Sequence, residues 1–169
     1  MWNRGLIAVI ILGLASVFGL WWWQNGSQTN TERLLFAKLD MATSHAPPRA
    51  EDIIAAFELP EACLRDTCWL EEGSVGGLSY SKGNLRQPEE GLIFVLEGFS
   101  GKCVRTQRAS AHFDLKPPEQ SCPHGGCWYS DAQHDWGILT FGLDQPNSEC
   151  VSSVVINTLP YQRPYPSTD

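Results

Sequence analysis

Apolar residues between positions 31 and 57 recur at the three- and four-residue spacing of amphipathic helices. The first such segment runs from Thr31, which can cap a helix, to about Ser44, and Pro47-Pro48 ends it. The second covers about residues 49–57, has acidic residues in its first turn, and is followed by Pro60. The pattern therefore predicts two consecutive helices, each with one apolar face.

After Trp69 the apolar residues form short runs separated by turn-forming residues, which is typical of strands. Residues 92–96 are continuously apolar and bounded by glycines, and they predict a buried strand that turns into a second one over about 103–113. Residues 136–143 and 150–159 predict a further hairpin. Helices followed by antiparallel strands predict an α+β fold in which two helices pack on an antiparallel sheet.

An uninterrupted apolar stretch occupies residues 5–23. Because a helix needs about 20 such residues to cross a bilayer, the stretch predicts an N-terminal transmembrane signal anchor. A cleaved signal peptide is the alternative, but no Ala-x-Ala site follows the stretch. Arg4 lies on the short N-terminal side, so the positive-inside rule predicts a single-pass inner-membrane protein with residues 24–169 in the periplasm.

The chain after the anchor divides by composition into three parts. Residues 24–30 predict a polar stalk, residues 31–159 an extracytoplasmic α+β domain, and residues 160–169 a Pro-rich tail. The chain after residue 23 holds all 19 acidic residues but only 11 of the 12 basic ones, a formal excess of eight negative charges. Such a domain repels nucleic acid and can steer towards a basic protein partner.

The six cysteines follow a repeated pattern. Cys63-Leu-Arg-Asp-Thr-Cys68-Trp69 recurs as Cys122-Pro-His-Gly-Gly-Cys127-Trp128, and each copy is followed by a strand-like run that leads to Cys-Val. Six cysteines allow fifteen pairings. The repeat favours Cys63–Cys68, Cys122–Cys127 and Cys103–Cys150, because equivalent cysteines then have equivalent roles, and an oxidising compartment favours disulfides.

The similarity extends to a degenerate tandem repeat with units of about 49–104 and 105–157. A helix that ends near Ala-Ala-Phe-Glu-Leu-Pro60, a short loop with Trp69 and meandering strands resemble the outer-membrane assembly lipoprotein BamE and the β-lactamase inhibitor protein. The resemblance covers about residues 31–113. It implies a helix-pair-plus-sheet module in the cell envelope that binds protein and is not an enzyme.

Histidines and cysteines offer two kinds of candidate site. The segment 122–127, which contains His124, and nearby His134 have spacings that zinc can use, but the matching first loop has no histidine and the compartment favours a disulfide. His112 with Asp114, or His134 with Asp135, could supply a base and its orienting carboxylate, yet no nucleophile elbow accompanies them. We therefore predict no metal, no cofactor and no enzymatic activity.

Two sets of residues are candidates for contact with a partner. The pairs Glu71-Glu72 and Glu89-Glu90 are the densest acidic groups; they could meet a basic protein, although solvated loop charges are the ordinary interpretation. Trp69 and Trp128 follow the cysteine loops, and core packing beside the disulfides is favoured over a role as exposed binding anchors.

These observations together predict the general role of the chain. It is expected to be a membrane-anchored periplasmic protein-binding module of the inhibitor or immunity type, with a protein partner, membrane contact through residues 5–23 and no nucleic acid. The alternative is an accessory or assembly subunit of a cell-envelope membrane complex, in which the anchor helix itself contacts partners.

Overall fold

The computed structural model describes residues 28–65, 67–120 and 127–159. The predicted anchor, most of the stalk, the first part of the second cysteine loop and the Pro-rich tail lie outside these residues. No helix within the described residues is long and apolar enough to cross a membrane. The stretch 5–23, on which the anchor prediction depends, is not among them.

Two helices begin the described chain, as predicted. In α1 (Asn30–Ala42) the Thr29 hydroxyl accepts a hydrogen bond from the N–H of Glu32, and the Glu32 carboxylate accepts one from the N–H of Thr29. This reciprocal capping box starts the helix at Thr29, two residues before the predicted cap at Thr31. The second helix, α2 (Ala50–Phe57), has nearly the predicted extent and packs on α1.

A third helix, α3 (Thr106–Phe113), occupies the segment for which a strand was predicted. That prediction was wrong because Ala109 and Phe113, the residues that meet the core, are four positions apart, which is a helical spacing. α2 and α3 end alike: Glu58 and Asp114 follow them with left-handed backbone, at φ 56° and 54°. The tandem repeat itself stays a prediction.

Ten strands form two antiparallel sheets within the described residues. Their bounds are β1 (Cys68–Leu70), β2 (Gly73–Val75), β3 (Leu78–Tyr80), β4 (Lys82–Arg86), β5 (Ile93–Glu97), β6 (Ser100–Gly101), β7 (Glu119–Gln120), β8 (Trp128–His134), β9 (Gly137–Leu143) and β10 (Ser153–Asn157). The larger sheet has the order β1-β4-β5-β10-β9-β8-β7, and the smaller has β2-β3-β6. The α+β prediction is confirmed.

The observed strand pairing agrees with the predicted hairpin at the C-terminal end but differs from the prediction around β5. The predicted hairpin near the C-terminal end is confirmed, since β9 pairs with β10. The segment predicted to form a strand paired with β5 is the helix α3, and β5 instead pairs with β4 and β10. The central strands β5 and β10 thus pair Val95 with Val155, which are far apart in the chain. No local sequence pattern predicts such a contact.

All three helices pack on the same face of the larger sheet. Phe57 of α2 lies against Phe94 of β5, with ring centroids 4.7 Å apart, and Phe113 of α3 lies against Phe141 of β9 at 5.3 Å. Phe36 of α1 contacts Phe113 at 5.3 Å. Phe36, Phe94 and Phe141 are almost fully buried, and each such side chain contributes about 2–3 kcal/mol through its burial.

Disulfides hold the ends of several elements. Cys63–Cys68 spans the short 3₁₀ turn (Glu61–Leu64) that leads to β1, and Cys103–Cys150 joins the chain after β6 to the chain before β10. Both pairings match the predictions. Cys127 is also disulfide-bonded, while its predicted partner Cys122 lies outside the described residues. No described cysteine is free.

Candidate protein-binding face

The side of the larger sheet that points away from the helices is termed the open face. Successive side chains of a strand point to opposite sides, so its residues alternate with the core residues. They form three rows across the strands. The rows are Arg86, Ile93, Asn157, Ile138 and Gln133; Trp69, Asn84, Val95, Val155, Thr140 and Asp131; and Lys82, Glu97, Ser153, Gly142, Tyr129 and Glu119.

The centre of the open face is aliphatic. Val95 of β5 and Val155 of β10 are direct cross-strand partners, and Ile93 and Ile138 lie in the neighbouring row. Val95 and Ile138 are each only 6% exposed, although neither belongs to the core cluster on the helix side. The open face therefore has an apolar centre of its own, of which Ile93 and Val155 are the partly exposed members.

One side of the face, the β1–β4 margin, consists of Trp69, Asn84 and Arg86 and is rich in hydrogen-bond donors. Trp69 is 73% exposed, so the predicted core position is wrong for this residue. The reason is strand alternation: its neighbours Cys68 and Leu70 both pack against the core, which turns Trp69 outward.

Arg86 adds a positive charge to the β1–β4 margin. Its Nε donates a hydrogen bond to Asn84 Oδ1 at 3.0 Å. Within the described part of the chain no carboxylate forms an ion pair with Arg86. The other N–H donors of the guanidinium have no acceptor among the hydrogen bonds of these described residues.

The opposite side, the β8–β7 margin, consists of Asp131, Tyr129 and Glu119 and is acidic. The side chain of Thr140 hydrogen-bonds the Asp131 carboxylate. Asp131 Oδ1 is buried and has no hydrogen-bond partner among the described residues. A buried acceptor without a donor carries a free-energy cost of about 1–3 kcal/mol.

The electrostatics of Asp131 reflect this position. Burial raises the pKa of the Asp131 carboxyl, the hydrogen bond with Thr140 lowers it, the negative charge of Glu119 raises it, and Lys116 lowers it. The net result is a pKa above the ordinary value. In the third row, Lys82 of β4 and Glu97 of β5 form an ion pair of 2.9 Å, so together they add no net charge to the face.

The other predicted contact residues divide into two groups. Trp128 is half-buried against the core, as predicted. The four glutamates Glu71, Glu72, Glu89 and Glu90 are exposed, and none forms an ion pair within the described ranges. Glu71-Glu72 follow β1 and Glu89-Glu90 follow β4, so the pairs lie beyond opposite ends of the two strands that carry the β1–β4 margin.

The histidines do not form the catalytic arrangement that was considered. His112 lies on α3, not on a strand, and its Nε2 contacts the Asp40 carboxylate at 3.0 and 3.1 Å. Asp114 forms the left-handed end of that helix, and His134 stacks on Trp136 with ring centroids 4.6 Å apart. The described residues contain no group of three or more candidate metal ligands, and His124 lies outside them.

A cleft of about 290 Å³ lies beside the smaller sheet. Its lining is polar and consists of Glu72, Gly73, Ser79, Tyr80, Ser81 and Ser100. Ser81 donates to the carbonyl of Glu97, and no hydrogen bond joins Glu72 to a serine among the described residues. The cleft therefore lacks a base in contact with a nucleophile.

Sequence reasoning missed most of the open face. Arg86 and Asp131 were missed because β4 and β8 were not predicted as strands. The available signal was alternation along β8, where Tyr129, Asp131 and Gln133 alternate with the buried residues Ser130 and Ala132.

Comparison with protein-family models, with characterised proteins and with solved structures finds no match to this chain. The resemblance to BamE and the β-lactamase inhibitor protein therefore stays a prediction. Any conclusion about function rests on the geometry of the chain itself.

Proposed function

We propose that this chain is a membrane-anchored periplasmic protein-binding module of the inhibitor or immunity type, which binds its target through the open face. The observation that carries the proposal is the composition of that face: an aliphatic centre around Val95 and Val155, a polar rim, and a largely exposed tryptophan at one margin. Protein interfaces have this arrangement, and tryptophan is among the residues that contribute most to binding free energy.

The support behind the face favours tight binding. Three helices pack on its reverse side, and the disulfides Cys63–Cys68 and Cys103–Cys150 lie at the ends of strands of the same sheet. A surface held in one conformation loses little entropy when a partner docks. This rigidity suits an inhibitor, whose affinity depends on preorganisation.

Charge indicates the kind of target. The domain carries an excess of acidic residues, and Asp131 and Glu119 place negative charge on the face itself. A basic protein surface is therefore the proposed target, since complementary charge accelerates association and excludes acidic competitors. Disulfides favour an oxidising compartment, in agreement with the proposed periplasmic location.

The experiment compares capture of proteins from envelope extract by the detergent-solubilised full chain and two variants. Val155→Glu places a charge in the apolar centre, and Ala111→Glu places the same charge on an exposed position of α3, on the helix side. The proposal expects the unmodified chain and Ala111→Glu to retain one basic protein in stoichiometric amount, and Val155→Glu to lose it. Equal capture by all three would refute binding through this face.

A chain with residues 5–23 scrambled tests the role of the anchor. An inhibitor keeps its target when the order of anchor residues changes, because the open face is unaltered. Loss of the captured protein in this variant would contradict the inhibitor proposal and favour an accessory membrane subunit, since helix packing in lipid depends on particular side chains.

A further inference from the structure

The exposed side of α1 carries an apolar stripe. Leu34 and Met41, which are 38% and 45% exposed, lie two helical turns apart on this side, and the exposed Ala37 lies between them. The opposite side of the helix is buried in the core through Leu35 and Leu39. The stripe is therefore additional to the apolar face that holds α1 in the fold.

Two cations border this stripe. Arg33 is exposed on the same side of α1. Lys102 approaches from the turn between β2 and β3, where a β-carbon at Gly77 would lie 3.2 Å from Lys102 Cγ. Leu34 packs on the same turn, since a β-carbon at Gly76 would lie 2.8 Å from Leu34 Cδ1. We term this surface the α1 patch; it consists of Arg33, Leu34, Ala37, Met41 and Lys102.

The charge of the α1 patch differs from that of the domain. Neither Arg33 nor Lys102 forms an ion pair within the described ranges of the chain. The two carboxylates of α1 have partners in the molecule: Asp40 contacts Nε2 of His112, and the buried Glu32 contacts Arg105. The patch thus presents two cations, although the chain after residue 23 has a formal excess of eight negative charges.

The sequence limits how far α1 can lie from a bilayer. The predicted anchor ends at residue 23, and the capping box starts α1 at Thr29. An extended chain advances about 3.5 Å per residue, so this connection spans roughly 20 Å at most. A surface tethered at so short a distance meets the lipid at high effective concentration, and a weak attraction is then sufficient for contact.

We propose that the α1 patch lies against the lipid surface, with Leu34 and Met41 at the boundary between headgroups and acyl chains and with Arg33 and Lys102 beside anionic phosphate groups. The inference rests on the membrane anchor of the proposed function and adds an orientation to it. Because α1 packs on the helix side of the larger sheet, the open face then points away from the bilayer, towards a soluble target.

The physical terms favour this orientation over others. Exposed apolar side chains on a helix gain free energy when they enter the interfacial region, and the long stems of Arg and Lys let their charges reach lipid phosphates. A cation near an anionic lipid surface contributes attraction, whereas the acidic surfaces elsewhere on the domain are repelled. Attraction on one side and repulsion on the others select the α1 patch as the side that faces the lipid.

The test places the full chain in nanodiscs of phosphatidylcholine and phosphatidylglycerol in which some headgroups carry a nitroxide. The sequence contains two methionines, so labelling of methionine methyl groups gives few NMR signals, and Met41→Leu assigns the signal of Met41. The nitroxide is expected to broaden the Met41 methyl signal and to leave the methyl signals of Val155, on the open face, sharp.

Variants test the contribution of charge. Arg33→Gln and Lys102→Gln each remove one cation at an exposed position, and each is expected to lower the equilibrium constant for lipid contact about fivefold. The double variant should lose most of the broadening of Met41. Arg86→Gln removes the same charge from the open face and is the matched control; it should leave the broadening unchanged.

Three results would overturn the proposal: a Met41 signal that the nitroxide leaves sharp, equal broadening of Met41 and Val155, or broadening that persists in the double variant. A sharp Met41 signal from a chain that still captures its basic protein would remove the lipid contact alone, and the protein-binding function would stand. A chain that does not enter nanodiscs would overturn the membrane anchor together with this inference.

Discussion

Two carboxylates of this protein occupy opposite environments. Glu32, at the start of α1 on the helix side, is fully buried and accepts three hydrogen bonds: from the N–H of Thr29 at 2.8 Å, the N–H of Arg105 at 3.1 Å and Nε of Arg105 at 3.2 Å. Asp131, on the open face, has the hydroxyl of Thr140 as a partner, and its Oδ1 is buried without one among the described residues.

The two environments change acidity in opposite directions. Burial alone would raise the pKa of Glu32, but the backbone hydrogen bonds from Thr29 and Arg105 and the Arg105 guanidinium outweigh it, so this pKa lies below its ordinary value. Burial keeps the pKa of Asp131 above its ordinary value. Folding thus gives the Glu32 carboxylate three donors, whereas it leaves Asp131 Oδ1 buried without a donor among the described residues.

The largest effect is expected from Glu32→Ala. The change removes the acceptor of two backbone N–H groups and of the Arg105 guanidinium, so it should lower the free energy of unfolding by about 3 kcal/mol. Glu32→Gln keeps the shape but turns an amide N–H₂ towards one of these donors, and a smaller loss is expected. Urea unfolding monitored by tryptophan fluorescence measures both, and a loss below 1 kcal/mol for the alanine variant would contradict a structural role.

The acid dependence follows from the sign of the Glu32 shift. Since its pKa is lower in the folded state, its stabilisation is fully present above the unfolded value of about 4.5 and is lost as pH falls through the folded pKa. The difference between wild type and Glu32→Gln should therefore shrink in that acidic window. A difference that stays constant down to the lowest pH would show that ionised Glu32 is not its source.

An effect of opposite sign is expected from Asp131→Asn. Because the folded state raises the pKa of Asp131, its ionisation makes the fold less stable as pH rises from the unfolded value of about 3.8 through the folded pKa. The variant should therefore gain about 1 kcal/mol at neutral pH and nothing in acid. Asp135→Asn, at an exposed position beyond β8, is the matched control and should change stability little. Destabilisation by Asp131→Asn at neutral pH would remove the contrast with Glu32.

The smallest effect is expected from Thr140→Val. It removes the hydroxyl that supports the Asp131 carboxylate, so it should lower stability by about 0.5 kcal/mol at neutral pH and raise the pKa of Asp131 further. An NMR titration of the Asp131 carboxyl carbon measures that pKa directly. An unchanged pKa would mean that the hydroxyl does not stabilise the carboxylate.

The features that were predicted correctly have local signals. α1 and α2 follow from three- and four-residue spacing and from the prolines that end them, and β9 with β10 follow from apolar runs joined by turn residues. The pairings Cys63–Cys68 and Cys103–Cys150 follow from the repeated spacing of the cysteines. The helices, the hairpin and the Cys63–Cys68 pairing have signals within short segments, whereas the Cys103–Cys150 pairing, with a sequence separation of 47, followed from comparing the two copies of the cysteine pattern.

The features that were missed depend on distant parts of the chain. α3 was predicted as a strand because its few apolar residues match either period, and its contact with Phe36 of α1 favours the helix. Trp69 was assigned to the core because an aromatic residue beside a disulfide usually packs there, but the pairing of β1 with β4 turns it outward. The open face could not be predicted without knowing that β5 pairs with β10, a pairing that joins the two halves of the chain.

The sequence by itself determined the chemistry that is available: an acidic, disulfide-containing α+β domain preceded by an apolar stretch. Only the tertiary structure decided which side chains share a surface. Hydrophobic periodicity specifies which residues an element buries, because the sequence of each helix or strand determines which of its faces is apolar. It does not specify which strands become neighbours, and that pairing is what places Arg86 and Asp131 on opposite margins of one apolar face.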